Sequence, residues 1–578
     1  GNVPHNHLKS WPAVFGRLRG QHVHRTFYGL CHGHHWSRHS DSSDGQSGRR
    51  LRLGCDSLRR RLVQIPTLAG GEIMRRREVL ASIAALAAVP TASWADEPGL
   101  QLGDATPFDA NTVTDRARAM AAQPYTPRPL IPEEWRNLTY DQYRKIWFDA
   151  RNALWEGTDT PQRVDVFPPG LYFPQGIETF VVEGDTARPL KFDMGVFDTT
   201  DKFPNVPIDD TLGYSGLRLR AEIDKPSIFQ EYAVFQGASY FRGIGNGQTY
   251  GLSTRGLALK TGDPMGEEFP DFTSFWMERP TSGSDNVIIH ALLDSPSCTG
   301  AYRFDIAHGD TTVMQVEAGI FARTDMTHIG IAPLTSMFLF DDMDRQRFDD
   351  FRPAVHDSDG LLIHNGAGEI IWRPLANPLN LQISSFADNN PKGFGLCQRS
   401  REFSQFNDLE AHYHKRPSLW VTPGEGWGRG SVQLVEIPAD LEIYDNIVAY
   451  WRPSADLLAG DSHRMTYRLD WGNAPEPKKA MAVVNTAAGG RPEGGRIFTI
   501  DFAPDARVPD DLNDLTKIIR TSAGEVTDGV LQRNPETGGP RLAFTFYAKD
   551  AAWAEFRAQL RLDGEALSEV WLYRWTKS

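Results

Sequence analysis

Between residues 270 and 455, aromatic side chains recur among carboxylates and guanidinium groups: Trp276, Trp372, Tyr413, Trp420, Trp427 and Trp451. That mixture suits a carbohydrate. A pyranose offers an apolar C–H face to an aromatic ring and a rim of hydroxyls to Asp, Arg, Asn and His. Each of these rings has a competing use in a hydrophobic core. Cleaving a glycosidic bond would also require two carboxyl groups. One protonates the leaving oxygen, and the other activates water or acts as nucleophile. The residues beyond 95 hold 69 acidic side chains, and chemistry alone does not single out a pair among them.

Other chemistries find less support. Gly243-Ile244-Gly245-Asn246-Gly247 lacks the third glycine, the following helix and the βαβ unit of a dinucleotide site. Ser253 and Ser336 sit in no G-x-S-x-G elbow. Asp341-Asp342-Met343-Asp344 and Asp357-Ser358-Asp359-Gly360 resemble fragments of calcium loops without EF-hand spacing, and read as solvated acidic loops. His32, His34, His35 and His39 form a histidine tract with no surrounding periodicity to fix a metal geometry. No metal or organic cofactor is implied.

Strands must position whatever site exists. The chain opens helically: Thr114 to Ala122 is Ala/Arg-rich, and Thr139-Tyr140-Asp141-Gln142 reads as a capping box. Tyr143, Ile146 and Trp147 then fall on one helical face. From about Arg163 the period becomes two. Leu217–Arg220 alternates, Met314, Val316, Ala318 and Ile320 alternate with polar residues, and Ser431–Ile437 repeats the pattern, as in an all-β sandwich. Gly472 to Lys479 reads as a linker, extended by Gly489-Gly490 and Gly494-Gly495. Arg496–Phe502, Leu542–Phe546, Phe556–Leu562 and Glu569–Trp575 then suggest a small sandwich of immunoglobulin type. The expected divisions are a large β-sandwich over 96–472, a linker over 473–495 and the small sandwich over 496–578.

Ahead of these lies an address. Arg75-Arg76-Arg77, an apolar run from Val79 to Val89 and Ala92-Ser93-Trp94-Ala95 make 74–95 a signal peptide, twin-arginine-like at Arg76-Arg77. Residues 1–73 read as a non-native or untranslated upstream extension. Export to the periplasm is the expectation. Cys298 and Cys397 remain in the exported part, and their pairing is not legible from sequence. Residues 1–95 carry 14 Lys and Arg against 5 Asp and Glu, which leaves 47 basic and 69 acidic residues, a net charge of −22, in the remainder. Such a body repels nucleic acid phosphates and anionic membrane surfaces, while uncharged substrates remain open to it.

Several long segments resemble the G/D family of osmoregulated periplasmic glucan biosynthesis proteins. They include Phe235–Arg242, Tyr250–Ala258, Glu267–Pro270, Ala291–Ser295, Leu334–Phe338, Val355–Asp359, Asn390–Leu396, Lys415–Trp420 and Asp445–Trp451. The resemblance spans 104–578, with a twin-arginine-like signal closer to the D branch. It implies a mutarotase-like β-sandwich joined to an immunoglobulin-like domain, and action on the β-1,2-linked glucose backbone of periplasmic glucans. That action is inverting endo-β-1,2-glucanase or transglycosylase chemistry, with Asp445 as general acid and Asp357 as general base. Asp445 should then be kept protonated by partial burial or a neighbouring anion, and Asp357 ionised. Tyr413, Arg416, Trp420, His356, Asp359 and Trp451 are implied along the glucan groove. Arg416 could instead bridge an internal Asp, and His356 could be a satisfied core histidine. The alternative is a non-catalytic binding or carrier protein that meets the inner-membrane glucan synthase. The partners expected are β-glucan chains, with a homodimer left open.

Overall fold

The structure is a computed structural model that describes residues 99–577, apart from 201–202, 224, 282–283, 285 and 477–479. The extension, the histidine tract and the signal peptide expected within 1–95 lie outside the described residues.

Two large sheets make the body, as the alternating patterns predict. One has ten strands. It runs from Gln382–Asn389 through Arg429–Glu436, Ile447–Pro453, Ile329–Ser336, Ser253–Arg255, Tyr240–Gly243, Phe229–Gln236 and Gly216–Glu222 to Gln162–Phe167, with Leu257–Leu259 also paired to Ile329–Ser336. The other is longer. Its centre is an antiparallel run of Asp271–Glu278, Val287–Asp294, Cys298–Ala307, Thr312–Ala322, Ser462–Gly472 and Ser418–Pro423.

Strand alternation places the core between these sheets. Leu217, Leu219, Ala233, Phe235 and Phe241 of the first are buried, as are Phe275, Phe304, Met314, Val316 and Ile320 of the second. Phe304 meets Phe241 and Phe235 edge-on at 5.0 and 5.2 Å. The aromatic edges sit over the partner faces, the arrangement their quadrupoles favour. The helix expected at 114–122 spans Thr112–Ala121 and buries Val113 and Ala117. The Oγ1 of Thr299 donates to its Ala117 carbonyl.

Four local expectations need correction. The capping box forms, but its helix is one turn, Tyr140–Tyr143. Ile146–Phe148 is a strand, so Ile146 is buried while Trp147 points outward, 47 % exposed. Pairing with Phe197–Thr199 overrides the helical period there. Within the stretch read as a linker, Val483–Gly490 is a strand paired with Arg496–Phe502. Its glycines are in extended backbone, where missing side chains cost little at a sheet edge. The Asp341–Asp344 loop is half-buried instead of solvated: Asp341 caps the turn by accepting from the Met343 N–H at 2.7 Å.

The C-terminal strands form a second, smaller pair of layers. Val483–Gly490, Arg496–Phe502 and Pro540–Tyr547 lie in one small sheet with Glu525–Val526 and Val530–Arg533. Phe498 and Phe546 of that sheet pack on Phe556 of the long one at 5.1 and 4.8 Å. The long sheet is continuous here, because Ile370–Pro374 pairs in parallel with Val570–Thr576. Cys298 and Cys397 are both buried free thiols, so no disulfide joins them.

Candidate active site

A short two-stranded ladder carries the site. Phe338–Phe340 pairs with Val355–His356, and the Asp357 N–H donates to the Met337 carbonyl at 2.8 Å. Because consecutive residues of an extended chain face opposite ways, His356 and Asp357 cannot share one side. Asp357 turns towards Arg416, whose Nη1 donates to its Oδ1 at 2.7 Å. Both groups are almost fully buried.

Arg416 is itself held firmly. It follows the turn Tyr413–Lys415, its guanidinium lies over the Tyr413 ring at 4.8 Å, and its Nε and Nη2 donate to the Ala411 carbonyl. Gly251 makes room for it, since a Cβ there would come within 2.8 Å of the arginine stem. Burial pushes the Asp357 carboxyl up to about 6. Arg416 and Arg242 oppose that rise, while the charges of Asp445 and Glu442 add to it. Asp445 is therefore close enough for the two carboxylates to feel one another.

Asp445 hangs on a loop anchored by its neighbour. The buried Asn446 side-chain oxygen accepts from the Phe338 N–H at 2.8 Å, and its nitrogen donates to the carbonyls of Phe338 and Ile437. The amide thus mimics a strand partner to the same ladder that carries Asp357. A second tie comes from Glu442, bound to Arg352 at 2.7 Å. Arg352 also holds Asp350 and Asp408, and Asp408 accepts from the Glu410 and Ala411 N–H groups beside Arg416.

Asp445 is far less sheltered than Asp357. Its side chain is 38 % exposed, and a cation, Arg242, lies 3.9 Å away, opposing the Asp357 carboxylate. Around Asp445 stand groups that sequence reasoning missed. Tyr240, on the same strand as Arg242, lies under the Arg255 guanidinium at 5.0 Å, and Arg255 is paired with Glu267 at 2.5 Å. Burial holds the Tyr240 hydroxyl above its ordinary range. Tyr240 and Arg242 are two apart in a strand, a spacing that puts both on one face, but that face was not known to be the open one.

The other expected groove residues are elsewhere. His356 stacks on Phe338 at 5.5 Å and meets Phe406 edge-on at 5.0 Å. Burial depresses its imidazole to about 3, the state of a neutral core histidine. Asp359 accepts from the Arg399 and Ser400 N–H groups, not from Arg416. Trp451 is buried against Trp427 at 6.1 Å. Trp420 lies in the C-terminal core, over Gly393 and Gly395, where a Cβ would collide with its ring. Neither indole has a face open to a sugar. Trp276 and Trp372 are covered too, by Phe180 at 4.9 Å and by the Arg399 guanidinium at 3.7 Å. Of the groove residues expected, the structure gathers Arg416 and Tyr413 around Asp357 and sends His356, Asp359, Trp420 and Trp451 into other packing.

Comparison with known proteins bears on what this arrangement serves. The family model described as periplasmic glucan biosynthesis protein, MdoG, matches residues 108–575. The glucans biosynthesis protein G of Vibrio cholerae serotype O1 is 47% identical over 476 residues, 81% of this chain and 87% of that protein. That of Shewanella frigidimarina is 48% identical over 478 residues, 81% and 85% of the two chains. Among solved structures, a galactose mutarotase related enzyme from Lactobacillus acidophilus matches at 9% identity and a TM-score of 0.19, over 46% of this chain and 97% of that one. A likeness that slight carries no argument about the fold. No helix among the described residues is long and apolar enough to cross a membrane. The length and continuity of the sequence matches decide the matter: the chain belongs to the MdoG family of periplasmic glucan biosynthesis proteins.

Proposed function

We propose that this protein processes the β-1,2-linked glucose backbone of periplasmic glucans, in the periplasm, by cleaving or transferring glycosidic bonds with inversion. The observation that supports this most is the state of Asp357. Its carboxyl, pushed up to about 6 by burial and steadied by Arg416, is ionised at neutral pH yet basic enough to accept a proton. General bases work best with such values. Asp357 removes the proton from a water, or from an acceptor hydroxyl in transfer, as that oxygen attacks the anomeric carbon. Asp445 gives its proton to the departing glycosidic oxygen, so the proton count balances. Arg242 and Tyr240 are placed to hold sugar hydroxyls beside Asp445.

A second reading follows from the exposure of Asp445. An open carboxylate beside Arg242 also suits hydrogen bonding to glucan hydroxyls without turnover, as in a carrier. Incubation with linear β-1,2-glucan, read by product chromatography and anomer-resolved NMR, separates the two. Shortened or ring-closed products that vanish in Asp445→Asn and Asp357→Asn support catalysis. Binding without products, in the wild type as in both variants, leaves the carrier.

A further inference from the structure

A cavity of about 460 Å³ opens between the edge strand Gln382–Asn389 and the C-terminal strands Leu515–Thr521, Trp553–Leu562 and Val570–Thr576. It is separate from the Asp357 site, and four arginines line it: Arg373, Arg520, Arg557 and Arg574. Three have counter-ions. Arg373 pairs with Glu436 at 3.1 Å, Arg574 with Glu555 at 3.6 Å, and Arg557 with Glu369. Among the described residues, Arg520 has no ion pair.

The strand register sharpens the point. Arg520 lies directly opposite Arg557 on the neighbouring strand. Like charges so placed repel and destabilise a sheet. Two residues along the Arg557 strand, Glu555 opposes Arg574 on the strand at its other side, the favourable arrangement. The like-charged pair is thus a local exception, on a protein whose net charge is −13. The side chains of Ser384 and Ser522 add hydroxyls to the same wall.

We propose that this cavity binds a small anion of the phosphate or carboxylate class, held by Arg520 and Arg557 with the hydroxyls as supplementary donors. Guanidinium forks match two oxygens of such groups. Binding supplies the charge that Arg520 lacks and relieves its repulsion with Arg557. Four arginines against three glutamates leave one positive charge over, and a neutral sugar gains nothing from that excess.

The test is calorimetric titration and thermal melting of the full chain with inorganic phosphate, acetate and glucose, at ionic strength matched with sodium chloride. Arg520→Gln is the probe, and Arg144→Gln, an exposed arginine outside the cavity, is the control. The expected result is a phosphate or acetate heat and a raised melting midpoint beyond chloride. Arg520→Gln should weaken that binding at least tenfold, and Arg144→Gln should not. The phosphate and acetate arms tell which oxyanion is preferred. Without ligand, Arg520→Gln should melt no lower than wild type, because it removes a repulsion. No oxyanion effect beyond chloride in wild type overturns the proposal. So does equal affinity in Arg520→Gln, or binding of glucose alone.

Discussion

Asp357 combines a buried carboxylate with a buried guanidinium, and its titration has consequences that can be measured. Its value near 6 stands above the ordinary 3.8, so the folded chain holds this proton more tightly than the unfolded one. The resulting stabilisation is full below about pH 4 and is lost as pH rises through about 6. At roughly 1.4 kcal/mol per unit it amounts to about 3 kcal/mol. Melting midpoints followed from pH 4 to 7 should fall more steeply for wild type than for Asp357→Asn, and parallel curves would contradict the assignment. For turnover, kcat/KM should drop as pH falls through about 6, where the base becomes protonated. Arg416→Gln removes the cation that opposes the rise, so this limb should move to higher pH. An unmoved limb would mean another group is the base. The alternative weighed for Arg416, a bridge to an internal Asp, is the contact observed, and that Asp is the proposed base itself. Legibility at this scale was partial. Family segments located Asp357 and Asp445, while the surroundings that tune Asp357 come from residues as distant in sequence as Arg242 and Arg416.

Among the elements, the Phe338–Phe340 ladder and the loop ending at Asn446 decide where the two carboxylates stand. Asn446→Ala removes three hydrogen bonds, two of them buried, and leaves the Phe338 N–H unsatisfied. A loss of about 1–3 kcal/mol is expected in urea denaturation. Turnover should fall as well, since Asp445 loses its anchor; full activity in this variant would show that the loop is set by other contacts. Gly393→Ala tests the packing of the C-terminal core, because the new Cβ would strike the Trp420 ring and the Val421 carbonyl. Overpacking of this kind costs about 1–3 kcal/mol, read from the same denaturation midpoint. The strands themselves were legible from their period of two. The Ile146–Phe148 strand was not, because three residues cannot distinguish a strand face from a helical one.

Across the whole molecule, the C-terminal strands are tied to the body by buried charge. The Arg399 guanidinium makes a two-pronged contact with Glu569 at 2.8 and 2.6 Å, while its N–H holds Asp359. Glu569→Ala leaves Arg399 without this partner and should cost about 3–5 kcal/mol, seen as a lower melting midpoint. A change below 1 kcal/mol would mean the tie is compensated elsewhere. Cys298 and Cys397 are both buried, and burial pushes the Cys298 thiol up to about 12. Alkylation followed by peptide mass spectrometry should label both only in denaturant, with no disulfide-linked peptide between them.

By itself, the sequence determined the all-β class, the main strands and the family. Alternation of apolar and polar residues is a local property, and long ordered segments are specific to a family. Only the tertiary structure decided which aromatic rings are open, since burial depends on strands brought together from across the chain. Trp420 and Trp451 looked suited to sugars and are packed inside. It also decided that Asp357 is enclosed and Asp445 is not, because their environments are built from Arg242, Arg352, Arg416 and Glu442, which meet only when the sheets close upon one another.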